Sequence, residues 1–365
     1  MTKSLFDFFP PPNYLLMPAV GVDISDRSLK YMEISKRNGK FFVSRFETRI
    51  IPSGIIESGE IKQKDKLIGF LKSIKKEIKT KFVNVSLPEE KVFLGRTKLP
   101  AMKEDEIRNT LEFQLEEHVP LSPKDAIFDF EIMDRINKNK KEECLNVNIV
   151  AFPKTLVEDY RDVFVAAGFT PLAFEMEAHA FTRAVVPKGE KESFFIMDFG
   201  KTRVTFAIVS EGKMQFASTI KIGGDNLNAA LVNGLEVDLL RAEEIKKTHS
   251  LIRNKENEKI FDLFLPVVAA IKDEISKHIT YWNFHLEEEN SEKRIKKILL
   301  CGGDSNLTGF SDYLSYELKL PVELANPWVN LLSFEKEIPD LELRESLSYV
   351  VGLGLAIRPF DDKEK

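Results

Sequence analysis

The chain has 365 residues, 43% of them apolar and 30% charged, with a formal net charge of −5. That length exceeds what one hydrophobic core usually serves and the composition is globular, so two or more lobes are expected. The acidic balance disfavours nucleic acid as a partner, because phosphate binding needs a concentrated positive face, and the lysines of residues 72–81 alternate with apolar residues as on the wet side of a helix. Cys144 and Cys301 lie far apart without a CxxC or Cys/His spacing. This argues against a disulfide framework and structural zinc and for a reducing compartment. Met1 to Pro12, with one lysine, Asp7 and three prolines, does not read as a signal peptide. The longest apolar runs, Leu263–Ile271 and Tyr349–Ile357, are too short to span a bilayer, so a membrane would be met through a partner.

In chain order, residues 19–47 form an apolar strand ending in Asp23, a tight turn, a second strand, an Asn38-Gly39 turn and a third strand. Asn-Gly between alternating strands is a strong hairpin signal. A helix follows over Asp65–Thr80, with Leu67, Ile68, Phe70, Leu71, Ile74 and Ile78 at helical period, then a strand over Phe82–Leu87. The next block reads as strand Val92–Leu99, helix Lys103–His118, strands Ile127–Met133 and Leu145–Ala151, and helix Thr155–Ala167 capped by Gly168. It interrupts the first lobe as an insertion with its own charge-rich hairpin, Asn137–Glu143. Residues 193–220 then repeat the opening unit, with Asp198 on Asp23, Gly200 on Ser25, Thr205 on Lys30 and Gly212 on Gly39. Gly223-Gly224 precede a helix capped by Asp225, followed by helices Arg241–Thr248 and Ile260–Glu287. A short buried strand, Ile298–Leu300, stops at Cys301-Gly302-Gly303, and a closing helix, Tyr349–Ile357, carries Gly352 and Gly354, which suggests close packing.

Two facing lobes that each offer an Asp-turn make a clamp for metal and phosphate. Carboxylates such as Asp23 and Asp198 can hold magnesium through its waters. Tight turns of small residues aim backbone N–H groups at phosphates, and Gly302 and Gly303 admit close approach without Cβ collisions. A lone Gly-Gly is a weak signal. Here five regions occur in order: Val22–Lys30, Phe174–Val185, Met197–Thr202, Leu299–Leu307 and Tyr349–Arg358, with Ala242-Glu243-Glu244-Ile245-Lys246 as a sixth element.

Together these regions resemble the actin, FtsA and seventy-kilodalton chaperone superfamily. The resemblance implies an α/β, actin-like (ribonuclease H-like) two-lobed fold that binds ATP and Mg2+. It implies nucleotide contacts from Asp23, Ser25, Ser28, Lys30, Asp198, Gly200, Thr202, Gly223, Gly224, Glu243, Lys246, Gly302, Gly303 and Ser305, with Asp23 and Asp198 on the metal through water. Glu243 and Lys246 would reach the ribose and base edge, and Glu177 or Glu175 would position water, with His179 a packed helix residue. Within the superfamily, the PilM family of type IV pilus assembly is the nearest likeness over residues 19–358. It is carried by Leu99-Pro100, Phe113–Leu121 and Phe128–Glu131 in the insertion, by Val150-Ala151 and Ala167–Pro171 at its end, and by Ala325-Asn326-Pro327-Trp328.

PilM likeness implies a cytoplasmic scaffold, drawn to the inner face of the membrane by the cytoplasmic N-terminal peptide of a PilN-type protein. Other pilus inner-membrane and motor components are implied partners, with self-association possible. The implied division is first-lobe core 19–87, inserted partner-binding subdomain 88–169, return 170–190, second-lobe core 191–226 and 296–344, helical subdomain 227–295 and closing helix 345–358, between terminal segments 1–18 and 359–365. Two departures stand out. Ser25-Asp26 replaces the family's Gly-Ser, which puts a carboxylate where the γ-phosphate is expected, and Lys201 replaces a small residue. Binding is therefore expected, but at most slow hydrolysis. The alternatives are an FtsA-like division scaffold, disfavoured by the polar ending Phe360–Lys365, and a small-molecule kinase, for which no acceptor-site motif is seen.

Overall fold

A computed structural model describes residues 18–360 apart from 38–39, 139–141, 250, 254, 256, 287–291, 333–338 and 340. The first lobe opens with β1 (Val20–Ile24), β2 (Ser28–Arg37) and β3 (Lys40–Ile50); the expected Asn38-Gly39 turn lies outside the described residues. Helix α1 (Lys64–Lys75) buries Leu67, Leu71 and Ile74 on one stripe and stops before Ile78, so the expected helix is shorter than its apolar pattern. β4 (Phe82–Leu87) follows.

Next come β5 (Phe93–Pro100), α2 (Glu104–Phe113), β6 (Ala126–Lys138), β7 (Glu142–Pro153) and α3 (Lys154–Ala166). The helix expected over Lys103–His118 breaks at Gln114. β5, β7 and β6 form a separate antiparallel sheet in that order. With α2 they close a small core of Leu99, Ile107, Leu111, Leu145, Val147 and Ile149. That core ends at Ala151: Leu156, Tyr160, Val163 and Phe164 of α3 pack into the first lobe, so the helix expected in the insertion serves the lobe core instead.

β8 (Thr170–Met176) and α4 (Glu177–Val185) complete the first lobe, with strand order β8-β4-β1-β2-β3. The second lobe holds β9 (Ser193–Phe199), β10 (Val204–Ser210), β11 (Lys213–Ile220), α5 (Gly224–Leu235), α6 (Leu239–Thr248), α7 (Glu258–His285), β12 (Ile295–Cys301), α8 (Phe310–Leu318) and β13 (Val322–Leu324). Its order, β11-β10-β9-β12-β13, repeats the first lobe with the same strand senses. The duplicated register is direct: Asp23 lies opposite Lys30, and Asp198 opposite Thr205. Glu211 and Gly212 both take positive φ between β10 and β11, as a two-residue hairpin with the sheet's own twist requires.

β9 is nearly continuous apolar sequence because both its faces are covered. Phe194 and Ile196 join the first-lobe core, while Phe195, Met197 and Phe199 join the second. The closing helix α9 (Val350–Ile357) is buried all round. It lies against β1 and α4, where a Cβ on Gly21 would be 2.6 Å from Ala356 N and one on Gly354 would be 3.0 Å from Ala180 Cα. The close packing expected of these two glycines is present at Gly354, whereas a Cβ on Gly352 would meet nothing nearer than Gly21 O at 3.7 Å, and the glycine required at that crossing is Gly21.

Candidate functional site

The two Asp-turns face one another across a narrow cleft. A cavity of about 80 Å³ there is lined by Asp23, Ser25, Ser28 and Lys30 from the first lobe, by Asp198, Gly200, Thr202, Gly302 and Gly303 from the second, and by Glu177 from α4. Each strand end delivers its Asp beside its turn. Gly200 N–H donates to Arg203 O at 3.0 Å, and Ser25 N–H donates to Ser28 O at 2.9 Å. Gly302 has φ of 89°, and a Cβ on it would lie 2.6 Å from Phe199 N, so only glycine lets β12 end this close to β9.

Buried carboxyl groups gather in the cleft, among the bases Arg27, Lys30, Lys201 and Arg203. Burial raises Asp198 to about 7, offset by Lys30 and reinforced by Asp23. Asp23 is raised by burial, against Lys30 and the 3.1 Å hydrogen bond donated by Ser86 Oγ. Glu177 stands well above the usual range through burial and then through Asp23, Glu89 and Asp198. Glu89 is raised to about 7 by burial although it accepts the Ala178 N–H at 3.2 Å. Buried acids so arranged favour a compensating cation. Among the described residues no group of three or more His, Cys, Asp or Glu side chains could cage a metal alone. Asp23 and Asp198 beside this cavity are carboxylates of the kind that hold a hydrated divalent ion through its waters.

Several expected site residues stand behind this cavity rather than on it. Gly223 and Gly224 back the second loop, with Gly224 N–H on Gly200 O at 3.1 Å. The helix N-cap is Gly223, not Asp225, because Asn226 Oδ1 takes the Gly223 N–H at 2.9 Å. Glu243 pairs with Lys201 at 2.9 Å, and Lys246 pairs with Asp304 at 2.6 Å. Ser305 Oγ donates to Cys301 O and so braces the strand end. Glu175 is not in the cleft; it holds Arg183 and, at 3.1 Å, Arg358. Asp26 is also turned away from the phosphate loops. Its carboxylate accepts the N–H groups of Ser58 and Gly59, both at 2.9 Å, and faces Arg203. The charge conflict expected from Asp26 is thereby removed. Ser86, Glu89, Glu90 and Arg203 escaped the sequence reading; the polar Asn84 and Ser86 within an otherwise apolar strand are the signal that could have pointed to Ser86.

A larger groove of about 710 Å³ lies between the inserted sheet and the first lobe. Residues 127–131 of β6 and 174–176 of β8 line it, and both are edge strands of their sheets. His179, expected as a packed helix residue, faces this groove. At one end the second lobe closes it: Lys213 Nζ donates to Ile132 O at 2.7 Å and Met133 O at 2.8 Å, where β6 carries a bulge. Asn148 Nδ2 donates to Met214 O at 3.2 Å.

The repeated five-stranded lobes around a cleft of paired Asp-turns define an actin-like ATPase fold. Solved structures share it. The PilM-PilN type IV pilus biogenesis complex matches at TM-score 0.76 and 21% identity, covering 94% of this chain and 99% of that one. MreB 5 of Spiroplasma citri bound to AMPPNP matches at TM-score 0.55 and 13% identity, covering 94% and 97%. The ethanolamine utilization protein EutJ from Carboxydothermus hydrogenoformans matches at 0.53 and 14%, covering 96% and 90%. The family of type IV pilus assembly protein PilM matches residues 21–360, and the chain belongs to it.

Proposed function

We propose that this PilM-family protein is an ATP-binding scaffold of pilus assembly that grips an extended peptide from the cytoplasmic end of a PilN-type membrane protein. The observation that carries the reading is the groove of about 710 Å³ flanked by two edge strands, β6 and β8. An extended peptide gains affinity by pairing its backbone with such an edge, and specificity from pockets for alternate side chains. The PilN partner in the similar PilM-PilN complex supports the same occupant. Among the described residues no helix is long and apolar enough to cross a membrane. Holding this peptide would place the scaffold at the inner face of the membrane. Ile127 is 42% exposed on the groove wall, so Ile127→Asp changes the surface at little folding cost. In titration calorimetry with PilN-type N-terminal peptides, Ile127→Asp weakens binding at least roughly tenfold, and affinity rises when the peptide is presented as a dimer. Equal affinity for wild type and variant refutes the groove.

The nucleotide half of the reading rests on the cleft. Asp23 and Asp198 would hold hydrated Mg2+, which when bound neutralises phosphate charge. Lys30, Ser25, Ser28, Thr202 and the Gly303 backbone would take phosphate oxygens, while Gly200, whose N–H is held by Arg203 O, would shape the turn and admit close approach. The cavity of about 80 Å³ is far below the roughly 300 Å³ at which small-molecule sites begin, so ATP enters by lobe separation. Glu243 and Lys246 would meet the nucleoside only after leaving Lys201 and Asp304. Glu177, buried among three other acids, would orient water weakly at best, which suits a switch more than a fast ATPase.

A further inference from the structure

Arg203 sits on the second lobe but spends its charge on the first. Its guanidinium contacts the Glu90 carboxylate and lies 3.9 Å from Asp26 Oδ1. Glu90 belongs to the root of the inserted unit, directly after β4, where Lys91 pairs with Glu60 at 2.5 Å and the neighbouring Glu89 reaches α4. Arg203 is 9% exposed, the residue lines the cleft cavity with Lys30, Asp23 and Asp198, and its charge acts on Asp23.

Three features mark this pair as exchangeable rather than a fixed strut. Asp26 retains two backbone donors, Ser58 and Gly59, whatever Arg203 does, so losing the guanidinium does not strand its charge. Glu90 is 16% exposed at its side chain and hydrates on release. The cavity is too small for a nucleotide, so entry must part contacts that span the lobes, and Arg203 to Glu90 and Asp26 is such a contact. Once parted, the guanidinium remains beside a cleft that also carries the bases Arg27, Lys30 and Lys201, and a phosphate accepts its fork in the two-pronged geometry a carboxylate does.

We propose that Arg203 is a phosphate-binding residue of the cleft, stored on Glu90 and Asp26 while the lobes are closed and passed to phosphate oxygens of an entering nucleotide. The proposal rests on the nucleotide reading above and adds to it a residue and a competition. The competition has a signature that a structural ion pair lacks: its two halves act with opposite signs. Glu90→Gln removes the competing carboxylate, so Mg–ATP binding tightens, by about tenfold for one charge-assisted contact. Arg203→Met keeps the apolar stem but loses the phosphate contact, so binding weakens by about ten- to a hundredfold. Glu90→Gln then has no further effect in the Arg203→Met background. Both single variants open the unliganded protein, read as a larger radius of gyration in small-angle scattering. If Arg203→Met does not fold, Arg203→Lys, which keeps charge but not the fork, carries the same arm with a smaller loss.

The experiment is calorimetric titration of Mg–ATP into the full chain and these variants, with scattering on the unliganded samples. Opposite signs with an enlarged unliganded Glu90→Gln protein support the proposal. Weaker or unchanged binding by Glu90→Gln at unchanged radius overturns it and leaves an ordinary strut. No Mg–ATP binding by wild type and Glu90→Gln alike overturns the nucleotide reading, and the ligand assigned to Arg203 falls with it.

Discussion

Gly354→Ala is the most demanding test of how the closing helix is seated. In an ordinary helix interior this exchange stabilises by about 1 kcal/mol, because glycine gives up more chain entropy on folding. Here the new methyl would sit against the Ala180 carbonyl of α4 and 3.0 Å from Ala180 Cα, inside the roughly 3.5–4 Å at which carbon atoms rest. Neither helix can yield by turning a side chain, since backbone is what the methyl meets. Relief requires α9 to back away by roughly an ångström. That motion strains the 3.1 Å bond from Arg183 to Gly354 O and the 3.0 Å bond from Asn84 to Leu355 O, both largely out of water. Overpacking costs about 1–3 kcal/mol, and weakening a buried charged hydrogen bond about as much again. Net of the helix-propensity gain, the variant loses about 2–4 kcal/mol, which lowers Tm by several degrees in a chain of this size. Gly303→Ala is the control: its methyl would have only Ser348 Cβ nearby, at 3.6 Å, so stability moves by less than about 0.5 kcal/mol. Calorimetric melting of both variants decides the matter. A Gly354→Ala protein that melts at or above the wild-type temperature refutes the seating described here.

Further expectations concern the charged groups. Asp198→Ala should abolish the rise in Tm that Mg–ATP produces by mass action, and an unchanged rise would remove Asp198 from the site. Lys246→Ala strands the Asp304 carboxylate, 15% exposed, and should cost about 3 kcal/mol by urea denaturation even without nucleotide; a neutral result would mean that water already serves Asp304. Glu175 titrates at about 2: burial works against its charge, but Arg183 and then Arg358 outweigh burial. Its folded value lies below the unfolded one, so the stabilisation is complete above pH 4.5 and is lost as pH falls towards 2. Glu175→Gln should therefore lower stability at neutral pH and flatten the loss between pH 4.5 and about 3, whereas an acid limb identical to wild type would assign that loss to other carboxylates.

Much of the fold could be read from the sequence because its signals are local and occur twice. The meander around Asp23 and the one around Asp198 each carry alternation, a small-residue turn and an apolar first strand, and the strands pair in the register that aligning the two copies implies. Gly354 of the closing helix was legible for a similar reason, since a glycine in a wholly apolar helix has few uses beside close approach, but Gly352 carries the same signal without the same crowding. What escaped depends on distant chain. Asp26 turns aside because Ser58 and Gly59, both at positive φ, present two N–H groups to it, and nothing near Asp26 announces that turn. Arg203 meets Glu90 across 113 positions, at the root of an inserted unit whose docking no local pattern encodes. Glu243 and Lys246 lie near the second loop, but their partners, Lys201 and Asp304, were visible only once the two turns were set side by side. The helix expected to run to Thr80 stops at Lys75, and the one expected to run to His118 breaks at Gln114, because apolar periodicity continues past the point where the backbone leaves the helix.

The bond from Lys213 to the bulged end of β6 bears on how the molecule can move. The inserted sheet is joined to the first lobe by two covalent crossings, at Pro88 and Pro153, and its contacts with the second include one ammonium on two carbonyls and Asn148 on Met214. A body fastened at both ends of a hinge has no rotation of its own. When the lobes swing apart, the sheet either travels with the second lobe, pivoting at its root and changing the width of the groove, or it gives up Lys213 and stays behind. If the lobes part as proposed for nucleotide entry, this contact would act as a mechanical fuse, setting how far they open before the groove stops moving with them.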